Sequence, residues 1–234
     1  MRMTFWKRPD RACPTAEEVL APLPERFRLP LLSMYAGELQ RGTNGRMFAI
    51  DPSTRVSPEQ GMWIYELCRQ LKPGKTIEIG LAYGYSTIYI LAALHANGSG
   101  SHVAIDPFQG GFHDIGLCQP EKVHMEQSFR HVPEKSVSAL GDLARRGELF
   151  QFTFVDGNHR FDDALLDFTL SAEVCPVDGH IVLDDLWMPA IQRVVSFIRN
   201  NRKDFVEVPT PIANVAAFKR TEKDTRNWDY HVDF

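Results

Sequence analysis

The chain has 234 residues, 44% of them hydrophobic, and a net charge of -4. That length suits one sizeable domain with a full core, and the mild negative balance argues against nucleic acid, whose binders carry a basic face. No run is apolar enough to span a membrane, the start MRMTFWKRPDRAC lacks the apolar stretch of a signal peptide, and Cys13, Cys68, Cys118 and Cys175 follow no ligand or framework spacing, so they read as reduced thiols of a cytoplasmic protein.

The first 56 residues are Pro-rich and uneven and read as an irregular, partly helical cap; residues 57–234 form the main domain. SPEQGMWIYELCRQL is predicted as a helix, with Ser57 as N-cap, Pro58 in the first turn and Gln60 completing a capping box. TIEIG is a short strand, and GYSTIYILAALHANG a helix that Asn97-Gly98 ends. SHVAIDPF is the second strand. Gln109 to Glu121 reads as a Gly-rich loop, and Gln109 to Leu117 within it is either a lid, whose His113 and Asp114 would meet substrate, or a mobile surface loop. KVHMEQ is predicted as the third strand and Lys135 to Arg146 as a helix.

FQFTFVD, apolar without alternation, reads as a strand buried on both faces. HRFDDALLDFTLSAEV follows as a helix with Phe161, Leu165, Phe168 and Ala172 inward and Asp163 and Asp167 outward. HIVLDD is a strand, PAIQRVVSFIRNN a helix, and DFVEV and ANVAAFKR are two closing strands too near each other for a helix between them. The alternation predicts an α/β fold: a mostly parallel, doubly wound sheet of seven strands, one antiparallel, with helices on both faces.

The turn EIGLAYGYST lacks the G-x-G-x-x-G dinucleotide fingerprint. Gly80 and Gly84 allow a ligand close to the backbone, and Asp106 ends the next strand where a carboxylate meets a ribose. E-x-G-x-x-x-G-x-S followed by a strand ending in Asp resembles the cofactor site of class I S-adenosylmethionine-dependent methyltransferases, over roughly Ser57 to Lys219. The resemblance implies their Rossmann-like fold. It implies that Glu78, Gly80, Gly84 and Ser86 line the methionine end of S-adenosylmethionine and that Asp106 accepts from both ribose hydroxyls. Phe108 would lie against the adenine, and Glu126, Gln127 and Ser128 would meet its edge.

In such a fold the fourth and fifth strands end beside the reacting methyl. Here they end in Asp156 and in Asp184-Asp185. Carboxylates that converge repel one another unless a cation stands between them, and oxygen ligands suit Mg2+ or Mn2+. The pattern is similar to that of metal-dependent O-methyltransferases, of the catechol type and of the branch acting on natural-product sugars, although Asp-Asp replaces the usual Asp-Asn. Turn and cap roles for these acids stay open. Adjacent strand residues face opposite ways, so Asp184 and Asp185 both ligate only if the chain bends. His159 is a candidate general base, metal ligand or helix cap, and Asp156 is a candidate catalytic acid group that also borders the cofactor. The expectation is an enzyme that methylates a hydroxyl of a small-molecule acceptor. The alternatives are a metal-independent O- or N-methyltransferase and a non-catalytic cofactor-binding protein. Self-association is compatible with each.

Overall fold

The computed structural model describes residues 14–234. The basic start and Cys13 lie outside them. Two short helices, α1 (Ala16–Leu20) and α2 (Glu25–Tyr35), precede a small hairpin, β1 (Gln40–Arg41) with β2 (Met47–Phe48). Leu20, Phe27, Leu31 and Met34 from this segment enter the same core cluster as the first helices of the main domain. The N-terminal elements therefore share that domain's core.

α3 (Pro58–Leu71) starts at Ser57, whose hydroxyl accepts from the Gln60 backbone N–H at 3.1 Å. The capping box is only half formed, because the Gln60 side chain turns away and donates to Asp184 Oδ2 at 2.6 Å. Strands and helices then alternate: β3 (Lys75–Ile79), α4 (Tyr85–Asn97), β4 (Ser101–Ile105), α5 (Ile115–Lys122), β5 (Phe129–Val132), α6 (Ser136–Arg145), β6 (Phe152–Val155), α7 (Phe161–Glu173), β7 (His180–Leu183), α8 (Pro189–Asn201), β8 (Phe205–Val208) and β9 (Ala216–Arg220).

The main sheet runs β5-β4-β3-β6-β7-β9-β8, and only β9 is antiparallel to its neighbours. Side chains alternate across it. Phe152 and Phe154 of β6 join the core under α2, α3 and α4, while Val155 joins the core under α6, α7 and α8. The strand order reverses between β3 and β6, which opens a crevice at the carboxyl ends of these strands.

Three expectations need correction. KVHMEQ is not a strand: it covers the end of α5 and a 3-10 turn at Glu126–Ser128, and the third parallel strand is FRHV. The Gly-rich loop is mostly helical, a 3-10 turn at Gln109–Phe112 and then α5, joined by His113 and Asp114 in left-handed conformation. On α7, Asp167 is buried and Phe161 is 37% exposed, the reverse of the expected faces. Asp167 points toward the crevice, where a helical stripe read for a solid core does not apply.

Candidate active site

The crevice holds a cavity of about 790 Å3 bordered by the ends of β3, β4, β6 and β7, within the range of small-molecule sites. At its centre Gly80 leaves β3 with φ +91°, and a Cβ there would collide with the carbonyl oxygen of Asp156. No other residue lets β3 turn so close to the end of β6. Asp106, at the end of β4, closes one side. Its Oδ2 accepts from the Leu81 and Ala82 backbone N–H groups at 3.2 and 3.0 Å and from Gln109 Nε2 at 2.7 Å; its Oδ1 accepts from the Phe108 N–H at 2.7 Å. A carboxylate offers about four acceptor positions, so Oδ1 is the oxygen with capacity left. Phe108 stands over the opening, 64% exposed.

Glu78, Gly84 and Ser86 are placed differently from the expectation. Glu78 is fully buried and accepts from Ser86 Oγ at 2.7 Å and from the Thr87 hydroxyl, with His102 Nε2 at 3.1 Å. Gly84 lies against Gln119 and Gly116. None of the three is among the residues that border the cavity; they brace β3 against α4 and the glycine turn against α5. Ser128 precedes β5, at the amino end of the sheet, because the true third strand starts one residue later. The residues after that strand which do reach the cavity are Lys135, Ser136 and Val137. The same rule, that ligands meet the carboxyl ends of parallel strands, points to them once FRHV is taken as the strand. His113 stacks on Phe48 with ring centroids 4.0 Å apart, and Asp114 accepts from Thr43 Oγ1 at 2.9 Å. Both are turned to the hairpin, and the Gln109 side chain ties the segment down to Asp106 and to the Ala82 carbonyl.

The acids gather at the other side. Asp156, His159 and Asp185 present ligating atoms that all lie within 4.8 Å of one another. Asp185 has φ +55°, which supplies the bend that two successive strand-end acids require. Asp184 does not join the cluster. It is buried, accepts from Gln60 on Oδ2, and takes the Asp185 N–H at 2.7 Å and Asn214 Nδ2 at 3.0 Å on Oδ1. Burial, then the charge of Asp156, pushes its carboxyl well above the usual range, and its hydrogen bonds brace the turn. Trp187 Nε1 donates to Asp185 Oδ1 at 2.8 Å and fixes that carboxylate.

His159 Nε2 lies 2.7 Å from Asp185 Oδ2 and 3.6 Å from Asp156 Oδ1, yet its direction makes no regular hydrogen bond. Contact with Asp156 and then Asp185 pushes the imidazole up to about 10, and Asp185 is held below its usual range, chiefly by His159. Burial pushes Asp156 up to about 6. As the side chains stand, the ring is an imidazolium between two carboxylates and holds its proton at neutral pH. It does not cap α7, whose N-cap is Arg160. Gln60, Asn214 and Asp167 carry no local sequence signal for these positions, since each arrives from a different element.

Residues 77–186 match the family model described as a methyltransferase domain. The caffeoyl-CoA O-methyltransferase of Stellaria longipes is 26% identical over 184 residues, 74% of this chain and 71% of the relative. The O-methyltransferase of Bacillus cereus in complex with SAH superimposes with a TM-score of 0.68 at 18% identity, over 88% of this chain and 95% of that one. TomG from Streptomyces achromogenes, an O-methyltransferase of tomaymycin synthesis in complex with SAM, gives 0.66 at 19% identity, over 85% and 91%. In fold and in this matched segment the chain resembles the class I S-adenosylmethionine-dependent methyltransferases. The relatives named here are O-methyltransferases.

Proposed function

We propose that the chain is a methyltransferase acting on a hydroxyl of a small-molecule acceptor, with a divalent cation, Mg2+ or Mn2+, held by Asp156, Asp185 and His159. The observation that carries the reading is the cluster itself. Two hard carboxylates and an imidazole nitrogen converge without satisfying one another's hydrogen-bond geometry, at the end of the sheet that closes a cavity of small-molecule size. The donor set fits a hard cation, and no thiol lies in it.

S-adenosylmethionine supplies an electrophilic methyl group on sulfur. Asp106 Oδ1 and the backbone at Gly80 would hold its nucleoside half, with Phe108 against the ring. A bound divalent cation supplies Lewis acidity that lowers the pKa of a ligating hydroxyl. The protein's own part is placement. Gln60 and Asn214 hold Asp184, Asp184 and Trp187 hold Asp185, and Gly80 lets β3 and β6 meet, so that donor and acceptor are presented in line in a cavity only partly open to water. Ligation by His159 requires loss of its proton, so in the loaded site it serves as ligand and the base role falls away.

A second reading has support in the same atoms. The imidazolium already neutralises the two acids, and a metal-independent enzyme would keep it there to orient the acceptor. Dialysis against EDTA and readdition of Mg2+ or Mn2+ separates the two, using turnover on hydroxylated aromatic acceptors and Mn2+ binding by electron paramagnetic resonance. The metal reading expects turnover to vanish and return, and Mn2+ binding to be lost in Asp185→Ala. Turnover indifferent to chelator, with no Mn2+ bound, leaves the metal-free reading.

A further inference from the structure

The methionine end of the site lacks the partner the sequence promised for it. Ser86 donates to Glu78 and Gly84 is covered by Gln119, so neither faces the cavity. An amino-acid moiety carries two opposite charges. Its carboxylate needs a cationic partner, and the acids at the ends of β6 and β7 offer none.

Four cationic side chains border the cavity: Arg55, Lys135, His159 and Arg160. Lys135 follows β5, on the Asp106 side where the ring of the nucleoside would lie, while His159 and Arg160 belong to the turn after β6. Arg55 alone comes from the segment before α3; it is exposed and borders the same cavity as Gly80, Ala82 and Gln60. Its guanidinium carbon lies 5.9 Å from the centroid of the Tyr35 ring, and Tyr35 packs on Tyr85, the first residue of α4, at 5.0 Å. The Tyr35 hydroxyl donates to the Val56 carbonyl at 3.0 Å, so the segment is pinned beside the glycine turn. Among the described residues no carboxylate lies within ion-pair distance of Arg55.

We infer that Arg55 binds the carboxylate of the amino-acid part of S-adenosylmethionine, positioning the cofactor from the methionine end. A guanidinium matches a carboxylate with two parallel N–H donors, which lysine cannot reproduce. The inference rests on S-adenosylmethionine as the cofactor, which can fail independently.

The test compares S-adenosylmethionine with decarboxylated S-adenosylmethionine, which keeps the sulfonium, amine and nucleoside and lacks only the carboxylate. Binding to wild type, Arg55→Gln and Arg55→Lys is measured by calorimetry. Wild type should prefer the intact cofactor by roughly 10- to 100-fold, the worth of a charged hydrogen-bonded pair. Arg55→Gln should lose that preference by weakening only the intact cofactor, and Arg55→Lys should retain part of it. Equal weakening of both ligands would reduce Arg55 to a structural residue, and no weakening of either would make it a solvated side chain; each overturns the inference. Failure of the wild type to bind either ligand would instead sink the cofactor assignment.

Discussion

Asp167 shows how a cavity reverses the reading of a helix face. It is 3% exposed, and burial pushes its carboxyl up to about 6 from 3.8, with the Ser136 hydroxyl pulling the other way. The native state thus favours the protonated form. The stability this gives is full below pH 3.8, falls away as the pH rises toward 6, and is gone above it. At neutral pH the buried charge costs roughly 2–3 kcal/mol. Asp167→Asn is therefore expected to raise the urea midpoint at pH 7.5 and to change it little at pH 4. An equal effect at both values would mean that the carboxyl is not desolvated. At this scale the sequence placed Asp106, Asp156 and Asp185 at strand ends, an address readable from the strand itself, and each borders the cavity. It did not show that Asp184 bonds to Gln60 and Ser86 to Glu78; a side chain's partner from a distant element leaves no mark in local spacing.

Among the elements, α3 and α4 pack directly on each other. A Cβ on Gly61 would run into the ring of Tyr89, which is fully buried and shares a hydrogen bond with the Tyr35 hydroxyl at 3.0 Å. Gly61→Ala must push α3 off α4 or tilt that ring. Overpacking of this kind costs about 1–3 kcal/mol, and Gln60, one residue before, would carry the shift to Asp184. Chemical denaturation should show the loss, and an unchanged midpoint would mean that the pair has slack which the packing does not show. Helices with a clear cap were legible: Ser57 starts α3 and Gly98 ends α4, as their sequences indicate. The strands β3, β4, β6 and β7 were legible as apolar runs between turn residues. The third strand was not. FRHV alternates weakly and sits at the sheet edge, while KVHM beside it carries as much strand character. α5 escaped because eight residues with an internal Gly and Pro give too short a periodicity to register.

For the molecule as a whole, the cavity is where separate parts of the chain meet. The segment before α3, the glycine turn, the ends of β4, β6 and β7, and the start of α6 all border it. A ligand there ties together elements that come from most of the chain's length, so it should bind the folded form alone. S-adenosylhomocysteine at about 100 times its Kd is expected to add about 2.7 kcal/mol, which for a domain of this size raises Tm by roughly 5–10 °C. Scanning fluorimetry would show it, and an unmoved Tm at saturation would remove the cofactor from this cavity. The alternation of strands and helices was enough to give the sheet, its one antiparallel strand and the crevice, because each follows from chain order. Which side chains fill the crevice depends on packing between distant segments, and only the structure supplies that. The bond from Trp187 to Asp185 has a further consequence. Its indole ring is 65% exposed at the cavity mouth while its N–H is held by the carboxylate that the acid cluster shares. A cation taken by that carboxylate would change the field beside the indole, so Trp187 emission is expected to act as an optical gauge of the cluster.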